Sequence, residues 1–295
     1  MSKLALTGKA CLAPVCLRQA VKASFDAPAL GQCVTSVKNL KYNVNNNNLP
    51  NPHAMLIIRP DQMQSFTDRI RAQFAAKLTG QLQADYPGLF QPLPPPLALR
   101  MVSAKIDYAE YRYEIRFQSA LTVFLYYCCA IGPAFDRQPD IQAVLDDLTL
   151  YPDDIPALLP DAVDEEAWEE AAQAARRADW FDPDKPGQLP DQVAARMCWA
   201  LAALAPNLPD VKLPQDEATL SHFATAAIQS AQQQHIHDAD GIAAFALCQS
   251  LLGRDFHRQT PKPWVAAVFN DPAILPALRG ATLAGCVELE WGIQL

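Results

Sequence analysis

The sequence IGPAFDRQ (residues 131–138) returns later in the chain as LGRDFHRQ (residues 252–259). Both copies follow an apolar run, and both keep Gly, Phe, Arg and Gln at the same places. Glycine ends helices readily because it tolerates a left-handed backbone, and a phenylalanine three residues later can fill the turn. The repeated letters therefore predict a structural joint that occurs twice, rather than a catalytic loop.

Two further pairs of matching stretches flank this joint in the same order. PDQM (60–63) and PDQV (190–193) each begin a predicted helix, and IQAVLDD (141–147) matches VAAVFND (265–271). This order favours a diverged duplication over the alternative, chance similarity between short helical segments. We predict an all-α fold of two related multi-helix modules packed together, with an irregular N-terminal extension.

The predicted boundaries follow changes in composition. Residues 1–54 end in an Asn-rich, Pro-containing stretch and are an irregular extension or a fused segment; Met55 is an equally natural start, so the sequence leaves their origin open. Residues 55–160 form the first helical module, residues 161–188 an acidic helix and linker, and residues 189–295 the second module.

In the first module, Met63, Phe66, Ile70, Phe74 and Leu78 recur at steps of three and four, which predicts an amphipathic helix beginning near Pro60. Composition predicts three further elements of the chain. These are an extended Pro-rich connector over 85–97, one central helix over 107–131 and a solvated acidic helix over 161–180.

The second module is predicted to contain three long helices. The first begins at Pro190 and carries Val193, and the second begins near Glu217. Asp238 is predicted to cap the third, and Gly253 to end it where Gly132 ends its counterpart.

Composition narrows the classes of protein. Half of the residues are hydrophobic, 11 are glycine and 25 are proline, which favours helices joined by Pro-rich connections. A net charge of −8 makes a nucleic-acid-binding surface unexpected. The apolar run 117–135 contains polar residues and a Gly-Pro break, so we expect a buried helix and not a membrane span. An export signal is not evident, and we expect a cytoplasmic protein.

No familiar catalytic motif is present in the sequence, so we expect a non-enzymatic protein without cofactor or metal. Cys11 and Cys16 in CLAPVC have a metal-like spacing but no second pair. HIHDAD (235–240) is rich in possible ligands, yet it lies where a helix cap is expected. Cys128 and Cys129 fall in an apolar helix, which disfavours ionisation and favours core packing.

Five residues in and after the repeated joint are the candidate partner-binding residues: Phe135, Asp136, Phe256, His257 and Trp264. Asp136 and His257 hold matching positions, and we expect them to bond turn amides. Trp264, in TPKPWVAAVF, anchors a short helix or faces a partner, because large aromatic side chains serve both purposes.

The chain resembles a family of small helical proteins encoded in bacterial type VI secretion gene clusters, near spike and effector genes. The resemblance lies in RPDQM at the start of a long helix, in a helix followed by Gly-x-x-Phe-Asp, and in a short helix containing Pro-Trp. These features fall within residues 57–74, 108–136 and 220–264. The first copy departs from the pattern because it has PDIQ (139–142) where Pro-Trp is expected.

The resemblance implies a context, the delivery or handling of secreted effectors, and no catalytic residue. It favours a cytoplasmic adaptor or chaperone whose partner is a secreted effector or spike protein. An immunity-like inhibitor of a toxin and an effector enzyme with an unrecognised site are the alternatives. The identity of the partner and the oligomeric state stay open.

Overall fold

The computed structural model describes residues 59–174, 180–182, 185, 187–208, 216–259, 262–293 and 295. The chain divides after Phe74 into two units. Of the first unit, the structure describes residues 59–74. The predicted irregular extension, residues 1–54, lies outside the described residues.

The all-α prediction is confirmed, because the described residues form helices and no strand. The helices are α1 (Pro60–Asp85), α2 (Pro87–Phe90), α3 (Pro95–Tyr113), α4 (Gln118–Ala130), α5 (Pro139–Leu145), α6 (Ile155–Ala162), α7 (Glu165–Ala174), α8 (Gln188–Leu204), α9 (Glu217–Gln233), α10 (Ala239–Leu252), α11 (Pro263–Asn270) and α12 (Arg279–Trp291). Two 3-10 turns, Phe135–Arg137 and Pro276–Leu278, precede α5 and α12.

The order of elements repeats along the chain. Each series has five helices: one with the PDQ motif in its first turns, a second long helix, an apolar central helix, a short helix beginning with proline, and a final helix. The first series is α1, α3, α4, α5 and α6, and the second is α8, α9, α10, α11 and α12. In the second series α10 packs against α8, α9 and α12, and in the first series α4 packs against α3 and α6. Each central helix is followed by a glycine with positive φ, 148° at Gly132 and 97° at Gly253.

The central helix α10 is the most buried element of the second series, with every residue from Gly241 to Gln249 buried. Asp238 caps it as predicted, because its Oδ1 accepts a hydrogen bond of 2.6 Å from the backbone N–H of Gly241. The helix approaches α12 so closely that a side chain at Gly241 would meet the backbone of Gly280. Two glycines therefore set the spacing between these helices.

The single helix predicted over residues 107–131 is wrong, because the chain breaks between α3 and α4. Glu114 takes a left-handed conformation with φ of 55°, and α4 begins only at Gln118. The carboxylate of Asp153 accepts hydrogen bonds of 2.6 Å from the backbone N–H groups of Arg116 and Phe117. A residue distant in sequence thus accepts hydrogen bonds from the backbone N–H groups at the start of α4. Local periodicity cannot indicate such a contact.

Two other predictions need correction. The Pro-rich stretch 85–97 is not an extended connector, because it contains the short helix α2 and the first turn of α3, which has proline at its start. The acidic stretch is not a wholly solvated helix. Residues 165–174 of this stretch form α7, and Trp168 is buried and stacks on Tyr127 with ring centroids 5.3 Å apart.

Polar contacts join the two series of helices within the second unit. The guanidinium of Arg100 on α3 donates hydrogen bonds of 2.8 and 2.9 Å to both carboxylate oxygens of Asp191 on α8, and it also pairs with Glu217 on α9. The indole N–H of Trp199 donates a hydrogen bond of 2.8 Å to the carbonyl oxygen of Leu89. Within the described part of the chain, no helix is both long and apolar enough to cross a membrane.

Candidate functional site

The first half of α1 presents an apolar surface to solvent. Met63, Phe66 and Ile70 are 52, 61 and 40% exposed, and we call these three side chains the PDQ face. The same stripe continues through Phe74, which is half-buried, to Leu78, which is buried. The predicted amphipathic helix is therefore present, but only the later part of its apolar stripe is buried.

The start of α1 is held by local hydrogen bonds. The backbone N–H of Arg59 donates a 3.0 Å hydrogen bond to the side-chain oxygen of Gln62. The side-chain amide of Gln64 donates one of 2.8 Å to Asp68. Asp61 lies in the first turn, where a carboxylate interacts favourably with the helix dipole. The helix that carries the PDQ face therefore has a defined beginning in the sequence.

The corresponding surface of the second PDQ helix, α8, is buried. When the two PDQ motifs are aligned, the stripe positions of α1 correspond to Val193, Arg196, Ala200 and Leu204, all at most 5% exposed. Even the arginine is covered, and it pairs with Asp240 at 2.6 Å. One copy of the motif thus shows its stripe packed by helices, and the other shows it exposed.

Of the five sequence-predicted partner-binding residues, Phe135 and Asp136 are buried in the first joint. The ring of Phe135 contacts those of Phe124 and Trp168. Asp136 does not bond turn amides as predicted, because one of its oxygens accepts hydrogen bonds from the hydroxyls of Tyr108 at 2.6 Å and Tyr113 at 2.8 Å. Both residues hold the joint together and are inaccessible to a partner in this conformation.

The other three residues lie around the second joint. Phe256 is buried against Phe245 and Phe269, whereas His257 and Trp264 are half-buried. His257 lies among these three phenylalanine rings, and burial lowers its pKa below the ordinary value. His257 and Trp264 are the two of the five that are not fully buried, and partner contact stays a prediction for all five residues.

Trp264 packs as an anchor for α11. Its ring meets that of Trp291 on α12 edge to face, with centroids 6.0 Å apart. Its indole N–H has no hydrogen-bond partner among the described residues, and the same is true of Nδ1 of His257. Both interpretations of Trp264 made from the sequence, packing anchor and partner contact, are compatible with this half-exposed position.

Sequence reasoning missed a polar cluster on α3. Lys105 is 6% exposed, donates a hydrogen bond of 2.9 Å to the carbonyl oxygen of Pro133 and lies 4.8 Å above the ring of Tyr108. A cavity of about 360 Å³ borders this cluster and is lined in part by Tyr111 and Trp180. The spacing of Lys105, Tyr108 and Tyr113 on one helix was the available signal, but nothing local pointed to Asp136 as the acceptor. The cluster binds the joint to α3.

Burial protects the thiols of the described residues. It raises the pKa of Cys128 and of Cys198 to about 12, and it raises those of Cys129, Cys248 and Cys286 as well. These thiols stay protonated at neutral pH, which agrees with the predicted packing role of Cys128 and Cys129.

In the HIHDAD stretch, Asp238 caps α10 and His235 adopts a left-handed conformation with φ of 63°. Among the residues that the structure describes, no three His, Cys, Asp or Glu side chains are grouped so that they could hold a metal ion. The pair Cys11 and Cys16 lies outside the described residues.

Comparison of the chain with protein-family models, with curated proteins and with solved structures gives no match. The features of the chain that bear on its function are the PDQ face, the two joints and the resemblance seen in its sequence.

Proposed function

We propose that this protein is a non-enzymatic adaptor or chaperone that binds an effector or spike component of a type VI secretion system in the cytoplasm, before release. The observation that carries the binding role is the PDQ face, where three large apolar side chains lie exposed along one helix. The secretion context comes from the resemblance in sequence. The binding role and the context are thus supported separately and can be tested separately.

Exposed apolar side chains in consecutive turns of a helix are typical of surfaces that dock a partner, because solvent exposure of such a stripe is unfavourable. Side chains that often serve in catalysis have structural roles here. Lys105 and Asp136 hold the first joint, and the Cys128 thiol is protonated in the core. This distribution supports binding over catalysis.

The test is affinity purification of the tagged full-length chain from its native host, with mass spectrometry of the captured proteins. We expect an effector or spike protein with the wild type and its loss with Phe66→Asp, which places a charge in the PDQ face. Tyr111→Asp is the matched control, because Tyr111 is an aromatic residue of the second unit with 90% exposure. It should capture the same partner as the wild type.

Co-expression separates the competing classes. An adaptor should leave the toxicity of a captured effector unchanged in a sensitive host, whereas protection of the host would identify an immunity protein. Toxicity of this chain itself, abolished by substitution of His235 or Cys128, would identify an effector enzyme. Capture of no secretion component by the wild type would overturn the proposed context.

A further inference from the structure

The imidazole of His257 lies among three phenylalanine rings at the second joint. The ring centroids of Phe256, Phe269 and Phe245 are 5.7, 5.8 and 6.0 Å from that of the imidazole. Phe256 belongs to the joint itself, Phe269 to α11 and Phe245 to α10. The imidazole is therefore part of the packing that joins α11 and the central helix α10.

One nitrogen of this imidazole has no hydrogen-bond partner. Nδ1 of His257 is buried and unpaired among the described residues, although the side chain as a whole is half-buried. A neutral imidazole carries hydrogen on one nitrogen, whereas the charged form carries it on both. Because Nδ1 has no acceptor nearby, we assign the hydrogen of the neutral form to Nε2. Protonation then creates a buried N–H group at Nδ1 that has nothing to donate to, which is unfavourable.

The charged groups in the same turn do not compensate a positive imidazole. Burial first, and then the guanidinium of Arg258, lower the pKa of His257 below the ordinary value of 6.5, and the carboxylate of Asp255 opposes them only in part. The third charged residue of the turn, Arg254, is exposed. The closed joint therefore favours the neutral form of His257.

The helices packed around the joint bring no counter-ion to Nδ1. Helix α11 contains no charged residue, and α10 contains one, Asp240, which lies in its first turn and pairs with Arg196. Helix α12, which packs against both, carries three charged residues, and they are Arg279, Glu288 and Glu290. Glu290 pairs with Lys262, Arg279 donates to the carbonyl oxygen of Gln234, and Glu288 is exposed. Among the described residues, no carboxylate thus accepts a hydrogen from Nδ1.

We propose that His257 makes the second joint acid-sensitive: protonation of Nδ1 favours an open joint, in which the imidazolium reaches water and leaves the three phenylalanine rings. This device is independent of the proposed binding function. Because the closed joint binds the proton less readily than the open one, its stability is complete above the ordinary pKa of histidine. That stability is lost as the pH falls through the lower pKa of the closed joint.

The first joint serves as an internal comparison, because it holds no imidazole. Asp136 stands at the position that matches His257, and its carboxylate accepts hydrogen bonds from the hydroxyls of Tyr108 and Tyr113. An acid response that comes from His257 should therefore be confined to the second joint.

Titration of the full-length chain by nuclear magnetic resonance is the first test. The signals of labelled histidine ring carbons give the pKa of His257, and the loss of one signal in His257→Gln assigns it. His222, an exposed histidine, is the internal reference. We expect the pKa of His257 to lie below 6.5. A value of 6.5 or above, as attraction of the imidazolium to the faces of the rings would give, overturns the proposal.

Amide hydrogen exchange, corrected for the pH dependence of intrinsic exchange, measures opening of the two joints in the same protein. The backbone N–H of Phe256 donates a 3.1 Å hydrogen bond to the carbonyl oxygen of Gly253, and that of Phe135 donates one of 3.1 Å to Gly132. As the pH falls below 6.5, the opening constant at Phe256 should rise and that at Phe135 should not. The fold-change should equal the ratio of the acid dissociation constants of His257 in the closed joint and in a peptide of residues 252–259.

Two matched variants locate the response. His257→Gln should abolish the rise at Phe256, because glutamine does not titrate. His222→Gln makes the same change at an exposed histidine of α9 and should keep the rise. Circular dichroism spectra at each pH should confirm that the helix content is retained.

Two results of these exchange measurements would overturn the proposal. One is an equal rise at Phe256 and Phe135, and the other is a rise that persists in His257→Gln. If His257→Gln does not fold, the pKa of the wild type and the comparison of the two phenylalanine amides still decide between the acid-sensitive joint and a joint indifferent to pH.

Discussion

The rings of Phe124 and Phe135 pack with their centroids 5.1 Å apart, which ties the central helix α4 to the turn that follows it. Phe245 and Phe256 repeat this contact at the same sequence interval, with centroids 4.9 Å apart. The glycine that separates the helix from the turn lets the chain reverse, and the second phenylalanine returns to the helix that it has just left. In both copies, the joint predicted from the sequence is therefore held by a contact between two phenylalanine rings, one on the central helix and one in the turn after it.

Replacing the closing ring should destabilise the protein strongly. We expect Phe135→Ala and Phe256→Ala each to lower the free energy of unfolding by about 3–5 kcal/mol, because both rings are fully buried. Phe117→Ala removes a ring that is 58% exposed and should cost under about 1 kcal/mol. Urea unfolding followed by circular dichroism measures the free energy of unfolding of all three variants. Equal losses of stability in the three would contradict a structural role for the ring contact in the joints.

The close approach of α10 and α12 predicts a contrast between two glycines of one helix. Gly280→Ala places a methyl group against the carboxylate of Asp238, so it should disrupt the cap and cost about 2 kcal/mol or more. Gly285→Ala has open space and should stabilise α12 by about 0.5–1 kcal/mol. The midpoint temperature of thermal unfolding should fall for Gly280→Ala and rise for Gly285→Ala. A shift of both midpoints in the same direction would refute the role of Gly280 in setting the spacing between α10 and α12.

Alkaline titration tests the buried cluster around Asp136. Burial first, and then the Asp136 carboxylate, raises the pKa of Tyr108 and of Tyr113 above the ordinary value of 10.0. A tyrosine whose pKa is higher in the folded state contributes stability that is complete below pH 10 and is lost as the pH rises through the folded-state pKa. We expect both side chains to remain protonated above pH 10 until the protein unfolds.

Asp136→Asn removes the negative charge while it keeps an acceptor oxygen. The pKa of Tyr108 and of Tyr113 should fall toward the ordinary value, and stability at pH 7 should drop by about 1–3 kcal/mol. Nuclear magnetic resonance of labelled tyrosine ring carbons follows each residue, with Tyr151, a half-exposed tyrosine outside the cluster, as internal control. Unchanged titration of both cluster tyrosines would rule out coupling to Asp136.

The remote cap of α4 predicts a difference between adjacent aspartates. Asp153→Ala removes the acceptor of two backbone N–H groups and should cost about 0.5–2 kcal/mol. Asp154→Ala is the control, because that side chain makes no capping hydrogen bond to α6, and its effect should stay within about 0.5 kcal/mol. Chemical unfolding of both variants decides the point, and equal effects would show that the cap contributes little.

Features that depend on neighbours in sequence were predictable. Asp238 caps α10, and Gly253 ends it, because capping and left-handed turns are settled within a few residues. Val193 is buried where helical periodicity placed it. The starts of α9 and α10 were likewise predicted to within a residue.

Features that depend on distant residues were missed. The break at Glu114 depends on Asp153, the burial of Trp168 depends on Tyr127, and helix α12 was not predicted at all. Of the candidate site, periodicity identified the stripe of α1 but could not say how much of it would be covered. That property depends on what packs against a helix, and no local pattern contains it.

The contacts of Arg100 with Asp191 and of Trp199 with Leu89 also bear on the history of the chain. If the two series of helices arose by duplication, these cross-links made the copies dependent on each other. Loss of either half by deletion would leave a buried indole and a charged network without their counterparts. A substitution on the surface of one copy, such as Phe66, leaves these cross-links in place, whereas removal of either copy breaks them.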